Sequence, residues 1–127
     1  MTQKTILITG GTGKFGKIFS NYFIDNGWKV IITSTSQESV DKFLENVVGS
    51  DDLDIFICDL SLPNAPAKLI EDLSERGIQI NHLVNNARSL KNLKVGETGV
   101  SLRDDMAKEY LLDVIVPYEL AMNLYQL

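Results

Sequence analysis

The 127 residues are 44% hydrophobic and 23% charged, with a formal net charge of −5. That is the profile of one globular domain long enough to bury a core, and its acidic balance argues against a nucleic-acid binder. No apolar run approaches the ~20 residues of a membrane helix, and no signal-peptide pattern follows Lys4. The single cysteine, Cys58, can form no internal disulfide, which fits a reducing cytoplasm.

The charge is unevenly spread. Residues 1–30 carry Lys4, Lys14, Lys17 and Lys29 against Asp25, whereas residues 37–75 carry ten acids against Lys42 and Lys68. The N-terminal end is therefore a basic region in an acidic chain, favourable to an anionic ligand.

In chain order, Thr5-Ile6-Leu7-Ile8-Thr9 reads as a short buried strand that stops at glycines. From Gly13 to Asn26, Phe15, Ile18, Phe19, Tyr22 and Phe23 recur at helical spacing, and Gly27 fits a C-cap. A second strand begins at Trp28. Thr35 and Glu38 form a candidate capping box, followed by Val40, Phe43, Leu44 and Val47 on one helical face. A third strand ends at Asp59-Leu60. Pro63 and Pro66 fit a turn and a helix start, Leu69, Ile70 and Leu73 give a helical stripe, and Gly77 stops it. A fourth strand leads into Asn85-Asn86-Ala87. The strands are expected near residues 4–9, 28–34, 53–58 and 80–85.

Residues 88–100 are polar and carry Gly96 and Gly99, which predicts a loop. A long helix is expected from Ser101, with Asp104 as a cap partner. Its stripe is read as Leu102, Met106, Tyr110, Leu111, Val114, Ile115, Tyr118, Met122 and Tyr125, with a kink or interruption at Pro117. Alternating strands and helices imply right-handed βαβ units, hence a doubly wound α/β parallel sheet of Rossmann type. Ligands of such sheets bind beyond the carboxyl ends of the strands.

The glycine turn sits at one of those ends. Gly11-Thr12-Gly13-Lys14-Phe15-Gly16 has G-x-G-x-x-G spacing after a strand and before a helix, the context a phosphate-binding turn requires. A helix N-terminus offers unpaired N–H groups and partial positive charge, and glycines let a diphosphate approach it. A tight turn without a ligand is the alternative. His82 has no partner at metal-ligand spacing and reads as structural, and Cys58 reads as a buried, inert thiol.

Three motifs in this order, Thr9-Gly10-Gly11-Thr12-Gly13-Lys14-Phe15-Gly16, Asp59-Leu60 and Asn85-Asn86-Ala87, resemble the short-chain dehydrogenase/reductase family. The resemblance covers the chain and implies a cofactor site. Gly10, Thr12, Gly13, Lys14, Phe15 and Gly16 would hold the pyrophosphate. Asp59, followed by Leu60, would meet the adenine amino group, and Asn86 and Ala87 would line the ribose side. The second strand ends in Thr33-Ser34-Thr35-Ser36 with no acid to hold ribose hydroxyls. Ser34, Thr35 and Lys14 are expected to accept a 2′-phosphate, so NADP(H) is favoured over NAD(H).

The sequence also departs from the family pattern. Lys14 and Arg88 stand where glycines are common, and Asp113 stands at the asparagine place of the long helix. Asp113 is the one catalytic candidate the resemblance gives, although a carboxylate cannot donate as an amide does. The family's Tyr-x-x-x-Lys pair is not found: Tyr110, Tyr118 and Tyr125 have no lysine four residues on. The chain is therefore read as the N-terminal, cofactor-binding half of an NAD(P)-dependent oxidoreductase, inactive alone. A non-catalytic nucleotide-sensing or interaction module is the other reading. In relatives the long helix packs against its copy, which implies a homo-oligomer through residues 101–127.

Overall fold

The computed structural model describes residues 3–47, 50–87 and 100–125. Four strands, β1 (Thr5–Ile8), β2 (Lys29–Ser34), β3 (Leu53–Ile57) and β4 (His82–Val84), alternate with α1 (Lys14–Asp25), α2 (Gln37–Leu44) and α3 (Ala65–Glu75). After them come α4 (Val100–Tyr110), one π-helical turn (Leu111–Ile115) and α5 (Val116–Tyr125). The predicted loop over 88–100, with Arg88, Gly96 and Gly99, lies outside the described residues except for Val100, which opens α4.

All pairings are parallel, in the order β3-β2-β1-β4. Leu7 aligns with Ile31 on one side and Leu83 on the other, so the first strand is interior as its apolar run requires. Alternation divides the core. Leu7, Ile31 and Phe56 face α3 and α5, meeting Leu69, Leu73, Leu112, Val116, Leu120 and Leu124. Ile6, Ile8, Val30 and Ile32 face α1 and α2, meeting Phe19, Phe23, Phe43 and Val47.

Strand and helix order match the sequence reading, but the buried faces of three helices do not. On α1, Phe19 and Phe23 pack inward beside buried Gly16 and Ser20, while Phe15, Ile18 and Tyr22 are exposed. Gly16 sets this rotation, because the helix approaches closest where it has no side chain. On α2, Leu44 is exposed while Val40, Phe43 and Val47 are buried. The α2 cap is Ser36, which accepts from the Ser39 N–H at 3.2 Å, not Thr35 with Glu38. Thr35 and Ser36 are both good caps, and the chain takes the later one.

The long helix carries two apolar stripes. Leu112, Val116, Leu120 and Leu124 are the buried one, at steps of four. The predicted stripe instead turns Met106, Tyr110, Val114, Ile115, Tyr118, Met122 and Tyr125 outward. α4 opens at Val100, one residue before the expected start at Ser101, and Asp104 lies in its first turns. Pro117 sits inside α5 without ending it. The irregularity falls earlier, where the Val116 N–H reaches back to the Leu111 carbonyl. Proline lacks the N–H that would bond residue 113 and its ring crowds that carbonyl, and the wider π turn relieves both.

His82 is exposed at the amino end of β4, its ring 5.0 Å from Trp28, which also packs edge-on against Phe23 at 5.1 Å. This cluster closes the end of the sheet opposite the glycine turn.

Ser20 is fully buried in α1, and its hydroxyl has no hydrogen-bond partner among the described residues. An unmet buried hydroxyl costs on the order of 1 kcal/mol or more. Ser20→Ala is expected to raise stability by about 1 kcal/mol, read as a higher urea midpoint at unchanged slope.

Candidate functional site

The turn from β1 to α1 is built by backbone contact. Gly10 has φ +62, and a Cβ there would lie 2.9 Å from the Ala87 Cα, so both its conformation and its neighbour demand glycine. A Cβ on Gly11 would overlap the Ile32 side chain, and one on Gly16 would overlap the Gly11 backbone. Gly16 therefore packs on the turn itself, and Gly11 in turn packs on the sheet. Gly13 differs: a Cβ there would meet only the Gly10 carbonyl, at 3.4 Å.

Hydrogen bonds lock the turn to its neighbours. Thr33 accepts from the Gly10 N–H through Oγ1 at 3.0 Å and from the Gly11 N–H through its carbonyl at 2.9 Å. Buried Thr9 Oγ1 accepts from the N–H groups of Asn86 and Ala87, each at 3.0 Å. The Asn86 side-chain amide donates to the Gly10 carbonyl at 3.1 Å. The Asn-Asn-Ala segment is thus the clamp of the glycine turn. Thr9 opens the glycine motif and does structural work there, whereas Thr33 is a structural residue that no motif singles out. Their signal in the sequence is a hydroxyl at the end of each central strand, β-branched and therefore at home there.

Beyond the strand ends lies a cavity of about 370 Å³, lined by Gly10, Thr12, Gly13, Lys14, Phe15, Ser34, Thr35, Asn86 and Ala87. The N-cap of α1 is Gly13, which has no side chain to cap the helix, and the first turn holds no acid. The leading N–H groups and the positive end of the helix therefore face this cavity with Lys14 beside them. On its far wall Ser34 Oγ donates to the Ser36 carbonyl at 3.3 Å, so Thr12 donates to Ser34 Oγ across 3.0 Å.

Three of the predicted cofactor residues do not line this cavity. Gly16 is buried beneath the turn, and Leu60 is in the core between sheet and α3. Asp59 lines a separate groove beside α3, and its Oδ1 accepts from the Ser61 N–H at 3.0 Å and the Ser61 hydroxyl at 2.6 Å. Asp113, the catalytic candidate, is exposed on the π turn. Burial pushes the Cys58 thiol up to about 11, with Asp59 and Asp72 adding to the shift. It is a protonated, poorly nucleophilic thiol near neutral pH.

Residues 4–109 match the short chain dehydrogenase family. The chain belongs to that family. It is 36% identical over 86 residues to the uncharacterized oxidoreductase YvrD of Bacillus subtilis, covering 68% of this chain and 32% of that protein. It is 33% identical over 84 residues to the NADP-dependent 3-hydroxy acid dehydrogenase YdfG of Escherichia coli K12, covering 65% and 32%. The structure of a 4-hydroxyisoleucine dehydrogenase complexed with NADH superposes with a TM-score of 0.77 at 20% identity, over 98% of this chain and 49% of that one. The chain thus spans about a third of the length of these curated relatives and half of that structure.

Two glycine substitutions separate packing from ligand access. Gly16→Ala is expected to destabilise the fold by about 2 kcal/mol or more, since backbone must move. Gly13→Ala is expected to cost less, about 1 kcal/mol or below, the preference for glycine over alanine at an N-cap. Urea unfolding of the two variants checks the contrast.

Proposed function

We propose that these residues form the nucleotide-binding part of an NAD(P)-dependent oxidoreductase that moves hydride between a nicotinamide and a carbonyl or alcohol, and that NADP(H) is preferred over NAD(H). The observation that carries the reading is the uncapped, acid-free N-terminus of α1 opening with Lys14 onto the cavity. Gly13 supports the fit, because among the described residues a side chain there would meet only the Gly10 carbonyl, at 3.4 Å. The turn's N–H groups and Lys14 would hold the pyrophosphate. Ser34 and Thr35 end β2 with hydroxyls where an acid would repel a 2′-phosphate. The name of the Escherichia coli relative, NADP-dependent, points the same way.

The family resemblance assigns Asp59 to the adenine amino group, and the two bonds from Ser61 fix its carboxylate. Asn86 and Ala87 would line the ribose side while holding the turn in place. The cofactor, when bound, supplies or takes the hydride; the chain binds and orients it. Asp113 stands on the π turn as an exposed carboxylate, able to accept a proton but not to donate as an amide does.

A second reading is a nucleotide-sensing or interaction module without turnover. Turnover needs a tyrosine whose phenol is tuned by a lysine four positions on, and residues 1–127 do not themselves supply that pair; a sensing module needs none. One experiment addresses both readings. NADPH is expected to bind more tightly than NADH by titration calorimetry, and Asp59→Ala to weaken binding about tenfold or more, the loss of a charge-assisted bond. The 127-residue chain is expected to consume no NADPH against aldehydes, ketones or keto-sugars. Tighter NADH binding reverses the cofactor assignment, and robust turnover would mean that the catalytic residues lie within this chain.

The outward stripe of the long helix supports self-association. Met106, Tyr110, Val114, Tyr118, Met122 and Tyr125 form one exposed apolar ridge across α4, the π turn and α5. Such a contiguous surface fits a two-fold helix–helix contact between copies. Sedimentation is expected to show a dimer or larger assembly, and Tyr118→Glu to shift it toward monomer with the fold retained.

A further inference from the structure

We propose that the outer edge of β3, with the groove between β3 and α3, is a docking site for an extended, basic segment of another polypeptide. β3 ends the sheet, bonded to β2 and to no other strand among the described residues. In a parallel ladder the residues of a strand bond alternately to one side and the other. The Val30 N–H donates to the Asp52 carbonyl and the Cys58 N–H to the Ser34 carbonyl. Residues 52, 54, 56 and 58 therefore face β2, and the N–H and C=O groups of Ile55 and Ile57 point outward from the edge. An edge of this kind is a template for an added strand.

A groove of about 460 Å³ runs beside that edge. Phe56 and Leu69 form its buried floor, while Ile57 and Leu62 stand at its mouth, 49% and 57% exposed. A strand laid along β3 would bring every second side chain over this apolar floor. The groove shares no lining residue with the cavity at the glycine turn. Asp59, assigned above to the adenine amino group, does line it, so the titration below is run without nucleotide, where its outcome is independent of the cofactor reading.

The surrounding charge selects the occupant. Asp51 and Asp52 precede β3, and Asp59 and Asp72 line the groove. The cations here are Lys68, 3.6 Å from Asp72, and Arg76, whose guanidinium stacks 4.7 Å from the Phe56 ring. Glu71 and Glu75 line a different groove and Asp54 is paired with Lys29, so these three add little to the field. Pairing β3 with its own copy would set two acidic edges side by side, which like charge opposes. Lysine or arginine alternating with apolar side chains meets both the field and the floor. The carboxyl-terminal half of the strand also lacks the usual guards of an edge. Asp54 is paired with Lys29 at 3.1 Å, and Ile55-Phe56-Ile57 carries neither charge nor proline.

A labelled octapeptide of alternating lysine and valine tests this against the full chain, by fluorescence polarisation and amide shift mapping. Saturable binding is expected, with the amides of Ile55 and Ile57 shifting and gaining protection from exchange. A double variant, Ile57→Thr with Leu62→Ser, changes two exposed residues and leaves the charge as it was, so the fold is expected to persist. Its affinity is expected to fall about tenfold, an apolar contact's worth. The same lysine–valine octapeptide with every backbone nitrogen methylated keeps the charge and the side chains but cannot donate to the edge, and is expected not to bind. Equal binding of the methylated peptide would reduce the site to charge adsorption and overturn the proposal. So would absence of lysine–valine binding, or binding that leaves β3 unmoved. Shift mapping on the unsubstituted chain decides the matter even if the variant misfolds.

Discussion

The nucleotide end of the molecule depends on the contact between Gly16 and Gly11. With a side chain at either position, backbone or Ile32 would have to move. The contact fixes how far α1 sits from the sheet, and so where the helix N-terminus points. It also fixes the rotation of α1: with Gly16 and Ser20 inward, Phe19 and Phe23 become the core residues and Phe15, Ile18 and Tyr22 are left outside. A local glycine requirement therefore decides the packing of a whole helix, and with it the anion-binding geometry.

The clamp between β4 and the turn extends that constraint across the sheet. Thr9 uses one buried hydroxyl to satisfy two N–H groups of the segment after β4, and Asn86 answers with a bond to Gly10. Gly10, pressed against Ala87, leaves no room for slippage. β1 and β4 are neighbours only because the chain crosses from β3 through α3, so residues 77 positions apart meet here. Such long-range polar closure rigidifies one wall of the cavity and places Asn86 and Ala87 where a ligand on the turn would lie against them.

The succession of strands and helices along the chain, the parallel sheet and the glycine turn were legible in the sequence because each rests on local signals: short β-branched runs, glycines at fixed spacing and helical periods between them. The inward face of each helix was not legible. Periodicity finds an apolar stripe but cannot say which of two stripes meets the sheet. The last helix carries Leu112, Val116, Leu120 and Leu124 beside an equally periodic row of tyrosines and methionines. Leucine and valine fill the core and the longer side chains face out, a choice settled by tertiary packing density. The π turn was likewise foreshadowed by Pro117, but its displacement toward Asp113 follows from which carbonyl the proline leaves unbonded.

Asp59-Leu60 shows how one motif serves the fold at the same point where a family resemblance looks for a ligand contact. Leu60 is a core plug between the sheet and α3, and a smaller residue there would open a cavity on the β3 side. Asp59 ties down Ser61 and so sets the path of the chain from β3 into α3. That path in turn shapes the groove beside the β3 edge, which Asp59 also lines. Burial raises the Cys58 thiol and this carboxylate adds to the shift, so the cysteine next to it stays protonated and inert. Losing the carboxylate would therefore disturb the loop as well as any nucleotide contact. An isosteric amide would keep the Ser61 bonds and remove the charge, so Asp59→Asn is the substitution that separates the two roles.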